Sequence, residues 1–204
     1  MLAAPPFNPR YGRAVWSVTQ ILQALGKGPN LSHASPEDLE RARLRGQLYH
    51  KAAHFLGEGD LLKSSIDPKI APFLEAKQKW IALSGARIVA CEVKVESARW
   101  GYVGTLDSAA FLGGVRVLVD DKTGAVFDKE FCELQLGAYA VAWDEQHHRE
   151  PVGGLIGLHL RDDETFRSHL FNALAAKAKW LRELGKFKEG GQANKEEGIE
   201  KGGD

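Results

Sequence analysis

Two glycines, Gly113-Gly114, separate two runs rich in β-formers, Tyr102–Leu112 and Val115–Lys122. A Gly-Gly pair in that setting admits the positive φ angles of a two-residue hairpin turn, and a two-residue turn without a bulge allows one register. With Leu112 facing Val115, Asp107 falls opposite Asp120, with Cβ atoms about 5 Å apart. Lys122 lies two residues beyond Asp120 and shares its face, while Asp121 points the other way. Facing like charges destabilise a hairpin by up to ~1 kcal/mol, and by more where water is scarce. A shared proton relieves the repulsion, and so does a divalent cation bound to both carboxylates. A hard cation such as magnesium takes one or two carboxylates together with substrate phosphate. The neighbouring lysine can then orient or activate a water, or hold the phosphate, while the metal lowers the pKa of that water. A solvated face carrying an ordinary Asp–Lys pair fits the same spacing.

The remaining segments supply layers for such a hairpin. Ser17 can cap a short helix through Ile21 and Leu25. Ser35-Pro36-Glu37-Asp38 opens a helix with a hydroxyl cap, a first-turn proline and acids at the positive dipole end; it ends near Leu56, before Gly57 and Gly59. Asp67-Pro68 opens another, ended by Gly85. Arg87–Val95 reads as a strand, Asp128 to about Gln146 as a helix, Val152–Arg161 as a strand and Thr165–Leu184 as a long final helix. Residues 1–16 read as an extended arm, and no internal repeat is visible. The expected fold is α/β (α+β), a single domain with a central mixed sheet flanked by helices. Its boundaries are 1–188, followed by an acidic, glycine-rich tail at 189–204 expected to be disordered.

Arg45-Gly46-Gln47-Leu48-Tyr49-His50, then Gly104-Thr105-Leu106-Asp107, Asp120-Asp121-Lys122-Thr123-Gly124 and Gln135-Leu136-Gly137-Ala138-Tyr139 follow one another in the chain. Together with the start at Ser17-Val18-Thr19-Gln20-Ile21-Leu22 and the strand Glu92-Val93-Lys94-Val95, they resemble the PD-(D/E)XK nuclease superfamily, in its RecB-like and phage-type exonuclease branch. The resemblance spans roughly residues 17–185. It implies a restriction-endonuclease-like core and a metal-dependent DNA nuclease, most simply an exonuclease, serving phage or prophage recombination or DNA end processing. Asp107, Asp120 and Lys122 would be catalytic. His50, Asp107 and Asp120 would hold Mg2+ or Mn2+, with the backbone carbonyl of Asp121 in reach of the metal. Glu92 would approach from the next strand, with Glu96 as the competing acid. Gln135 and Tyr139, one turn apart on a helix, would touch DNA or hold the lysine. Asp121 departs from the pattern, which has an aromatic or apolar residue there. A non-catalytic nucleic-acid-binding module of the same fold, and a nuclease for RNA or branched DNA, are the alternative readings.

Arg41, Arg43 and Arg45 precede His50 on one helix, which makes Arg41 and Arg45 the candidates for phosphate contacts. His50 and His54 at i,i+4 would need a third ligand for zinc, and none lies nearby in sequence. His159 alternates with apolar residues and reads as a satisfied core histidine. Cys91 and Cys132 are too few for an iron–sulfur cluster or a Cys-based zinc site and suit a reducing cytoplasm, bacterial or of a phage-infected host. No run approaches the ~20 apolar residues of a membrane span, and no secretion signal is expected. DNA is the expected partner, alongside a homo-oligomer or a recombination protein. Lys plus Arg and Asp plus Glu both number 27 in the 204 residues, a net charge of zero. The five acids and two lysines of residues 189–204 leave residues 1–188 at +3, so neutrality does not exclude a polyanionic partner.

Overall fold

The computed structural model describes residues 4–9, 11–28 and 34–200. In chain order the elements are β1 (Phe7–Asn8), β2 (Arg13–Ala14), β3 (Trp16–Ser17), α1 (Val18–Ala24), α2 (Pro36–Glu58), α3 (Ala71–Ser84), β4 (Arg87–Ser97) and β5 (Tyr102–Leu112). They continue with β6 (Val115–Lys122), α4 (Lys129–Gln146), β7 (Gly154–Leu160), β8 (Phe166–Phe171) and α5 (Ala173–Glu200). Both predicted caps form, and Asp128 supplies a third. Ser17 accepts the Gln20 N–H in a capping box, Ser35 accepts that of Asp38, and Asp128 accepts that of Phe131.

The β5–β6 hairpin takes the expected register, from Leu112 opposite Val115 to Ser108 opposite Val119. Gly113 and Gly114 both have positive φ, 56° and 81°, as its two-residue turn demands. The mixed sheet runs β3-β5-β6-β7-β8, with β4 on the other edge of β5. β3 pairs in parallel with Tyr102 and Val103, whereas β6 pairs antiparallel from Ser108 onward. Among the described residues the stretch Gly104–Asp107 therefore has no strand along that edge, and the sheet opens there.

Helices cover both faces. One apolar layer joins Ile21 and Leu22 of α1, Leu134 and Leu136 of α4 and Trp180 of α5 to Leu106, Leu118 and Leu155 of the sheet. The other joins Tyr49 of α2 and Phe73 and Trp80 of α3 to Val117, Val119, Ile156 and Leu158. Simple alternation would set Leu106 and Ser108 on one face. Leu106 instead enters the first layer, and Ser108 bonds Lys77 of α3 in the second. The reversal coincides with Glu92, at φ 49°, across from Asp107.

The long final helix starting at Thr165 needs correction. Phe166–Phe171 is a strand antiparallel to β7, and α5 begins only at Ala173, where Asn172 Oδ1 accepts the Ala175 N–H. Phe166 and Leu170 satisfy a helical period and a strand period alike; the open ladder of β7 decides between them. The segment at Asp67-Pro68 is a turn, and α3 starts at Ala71. The arm of residues 1–16 contains the β1–β2 hairpin. α5 crosses the boundary placed at residue 188, and residues 201–204 lie outside the described residues. No helix among the described residues is long and apolar enough to cross a membrane.

Candidate active site

At the opening in the sheet, α2, β4 and β5 bring three side chains together. His50 Nδ1 lies 3.2 Å from Asp107 Oδ1 and 3.8 Å from Glu92 Oε1. One potential ligand atom from each of His50, Glu92 and Asp107 falls within a 4.8 Å cluster. Asp107 Oδ2 accepts the backbone N–H of Asp121 at 2.6 Å, so the second strand of the hairpin fixes the orientation of the carboxylate. Burial disfavours the charge on both Asp107 and His50, yet each outweighs it for the other. Next to His50, Asp107 drops to about 2, and beside Asp107 the imidazole rises to about 9. Glu96 instead pairs with Arg13, leaving Glu92 as the acid that reaches the cluster.

A second group adjoins it on the α4 side. Lys122 Nζ lies 2.6 Å from Asp120 Oδ2 and donates to Gln135 Oε1 at 2.8 Å. Gln135 Nε2 donates to the Tyr139 hydroxyl at 2.7 Å. The Cys132 thiol donates to Asp120 Oδ2 at 3.7 Å. Burial raises the Asp120 carboxyl to about 6, and the nearby Asp107 charge adds to the rise against the pull of Lys122. Burial works against the Lys122 charge too, but the Asp120 carboxylate prevails and holds the ammonium above its usual range. Gly104 is needed for this packing: a Cβ there would stand 2.4 Å from Tyr139 Cε1.

Other predicted residues lie elsewhere. The Asp121 carboxylate is on the opposite face, ion-paired to Lys77 and accepting from Tyr49, and is not part of the cluster. Arg41 pairs with Asp38, and Arg43 with Glu40. Arg45 turns inward, donating to the Thr123 carbonyl at 3.1 Å with its guanidinium over the Phe73 ring. It therefore braces the loop after Lys122. His159 bonds the Gly124 carbonyl at 2.8 Å and is a satisfied core histidine.

A cleft of about 750 Å³ contains the cluster. Gln47, His50, Lys51 and His54 line one wall as a single helical stripe at i, i+3, i+4 and i+7. Asn8 and Tyr11 of the N-terminal hairpin line the other, with Gln135 and Tyr139. The Tyr11 hydroxyl donates to the carbonyls of Gly104 and Val95. Lys51 and Tyr11 were missed in the sequence. The helical stripe around His50 was the available signal for Lys51, whereas nothing local marks Tyr11.

One imidazole and two carboxylates, converging at the mouth of a polar cleft, make a donor set suited to a hard or borderline divalent cation. Asp107 and His50 hold each other in place within this set.

No protein-family profile matches the chain, and no curated protein does. Among solved structures, the alkaline exonuclease LHK-Exo from Laribacter hongkongensis overlaps at a TM-score of 0.44, with 14% identity, over 63% of this chain and 69% of that one. The same enzyme in complex with dAMP overlaps at 0.48, with 12% identity, over 92% of each chain. A candidate exonuclease from Eubacterium rectale overlaps at 0.49, with 13% identity, over 93% of this chain and 87% of that one.

Proposed function

We propose that this protein is a metal-dependent nuclease hydrolysing phosphodiester bonds in DNA, acting as an exonuclease in phage or prophage recombination or DNA end processing. The convergence of His50, Glu92 and Asp107 beside a lysine held by Asp120 and Gln135 carries the reading. His50, Glu92 and Asp107 would hold magnesium or manganese, with Asp120 alongside. The cation would supply Lewis-acid polarisation of the scissile phosphate and a water of lowered pKa. The protein's own part is positioning and charge. Lys122, kept as an ammonium, is suited to gripping a phosphate oxygen or orienting the attacking water and unsuited to taking a proton. Gln135, itself bonded to Tyr139, holds that ammonium from the side opposite Asp120. Lys51 is the one Lys or Arg among the cleft-lining side chains, and none of the described residues pairs with it. It takes over the phosphate role expected of Arg41 and Arg45. A cytoplasmic setting, with a homo-oligomer or recombination protein as partner, accords with this role.

The test is incubation of the protein with end-labelled linear DNA and with closed circular DNA, in magnesium or in EDTA. Loss of linear DNA alone, and only with metal, is expected. Binding without metal-dependent cutting would make the chain a nucleic-acid-binding module, and cutting of RNA in preference to DNA would redirect the substrate.

A further inference from the structure

Val117, Val119 and Asp121 alternate along one face of β6, and the two valines are buried in the layer under α2 and α3. A third apolar side chain would continue that layer. Asp121 stands there instead, its carboxylate wholly buried and ion-paired with Lys77 of α3, itself 3% exposed. The Tyr49 hydroxyl donates to the same Oδ2 at 2.8 Å, and Lys77 Nζ also donates to Ser108 Oγ at 3.0 Å. A buried ion pair rarely stabilises a fold more than apolar residues of the same volume, because desolvation offsets the attraction. Stability therefore does not account for the pair.

Its neighbours do. Tyr49 precedes His50, Ser108 follows Asp107, and Asp121 lies between Asp120 and Lys122. Cys91, paired with Ser108 across the ladder, precedes Glu92. Every acid or imidazole of the site thus has a sequence neighbour in or beside this buried node. One link is direct: the Asp121 N–H is the group that Asp107 Oδ2 accepts at 2.6 Å. We propose that Lys77 and Asp121 are positioning residues. From the far side of the sheet they fix the spacing between the helix carrying His50 and the strand carrying Asp107, and so the geometry of the cation site. The inference rests on the metal-site reading above. Loss of a group that holds a metal ligand in place typically changes metal affinity or activity by about 10- to 100-fold.

The test uses the full chain and manganese alone as probe. In a Tyr49→Phe/Lys77→Met/Asp121→Leu variant only Ser108 Oγ, of the remaining side chains of the node, loses a partner, the Lys77 ammonium. Calorimetric titration is expected to weaken its manganese Kd about tenfold or more, while its melting temperature in EDTA stays at or above that of the wild type. A folded variant with the wild-type manganese Kd would overturn the proposal. Should the triple variant not fold, Asp121→Asn keeps the shape and the acceptor for Tyr49. A several-fold weaker Kd supports the proposal there, and an unchanged one overturns it. A wild type that binds no manganese would remove the metal-site reading and this inference with it; a wild type and variant that bind equally well would remove the inference alone.

Discussion

Lys122 Nζ stands 2.6 Å from Asp120 Oδ2, close enough to keep its proton, while the Gln135 carbonyl oxygen holds it from the other side at 2.8 Å. The lysine is thus a fixed cation beside the cleft, behind Gln135, which lines it. Lys122→Met is expected to slow metal-dependent cleavage by at least about a hundredfold, with the far-ultraviolet spectrum unchanged. Gln135→Ala should cost less, on the order of tenfold, since the charge remains and only its placement is lost. Cleavage by Lys122→Met at the wild-type rate, measured as release of end label at saturating DNA, would rule out this role.

Asp120 makes metal-free stability depend on pH. Its folded pKa of about 6 lies above the ordinary 3.8, so the folded protein keeps a proton that the unfolded chain releases across that interval. Stability from this group falls as pH rises from about 4 to 6 and stays lower above. Asp107 acts in the opposite sense: its depressed pKa gives stability that is present above 3.8 and is lost as pH falls toward 2. Thermal unfolding in EDTA should therefore show Asp120→Asn gaining on the wild type between pH 4 and pH 7. A drift in the wild type's favour across that range would contradict the buried carboxyl.

Metal binding should release protons. His50, raised to about 9 beside Asp107, is protonated at pH 7 in the metal-free protein and must be neutral to act as a ligand. Manganese affinity is expected to rise with pH up to about 9. Titrations at pH 7 in two buffers of different ionisation enthalpy should give different heats. Identical heats would mean that His50 does not ligate.

Lys51 lies on the cleft-lining stripe of α2, one residue after His50. Lys51→Met should raise the KM for DNA on the order of tenfold and flatten the slope of log affinity against log salt by about one. Lys51→Arg should recover most of the binding. An unchanged salt slope, read by anisotropy of a labelled oligonucleotide with calcium in place of magnesium, would place the phosphate contacts elsewhere.

Gly104→Ala puts a methyl group against the Tyr139 ring, where the approach would be 2.4 Å. Such overpacking costs about 1–3 kcal/mol and displaces Tyr139 from Gln135. The melting temperature should fall by several degrees and cleavage should fall with it. Tyr139→Leu in the same background should return most of the stability and little of the cleavage. If Gly104→Ala melts at the wild-type temperature, the glycine is not there for the tyrosine.

The sequence alone determined whatever depends on neighbours a few residues away. A two-residue glycine turn leaves one register, so the β5–β6 pairing was legible, and with it the placing of Asp120 and Lys122 on one face. The caps Ser17 and Ser35, and the helix start at Asp128, were legible because each acts on an amide three residues on. The tertiary structure alone decided where those faces lead. Asp107 lies just past the last paired residue of the hairpin, and beside the Asp120 charge its carboxylate also meets His50 and the Asp121 amide, contacts that the hairpin register does not announce. Glu92 rather than Glu96 meets the cluster, Arg45 braces a loop, and Phe166–Phe171 becomes a strand, each because a partner distant in sequence offers a charge, a carbonyl or an open ladder. Such contacts join residues tens of positions apart. Local alternation and helical spacing carry no record of them.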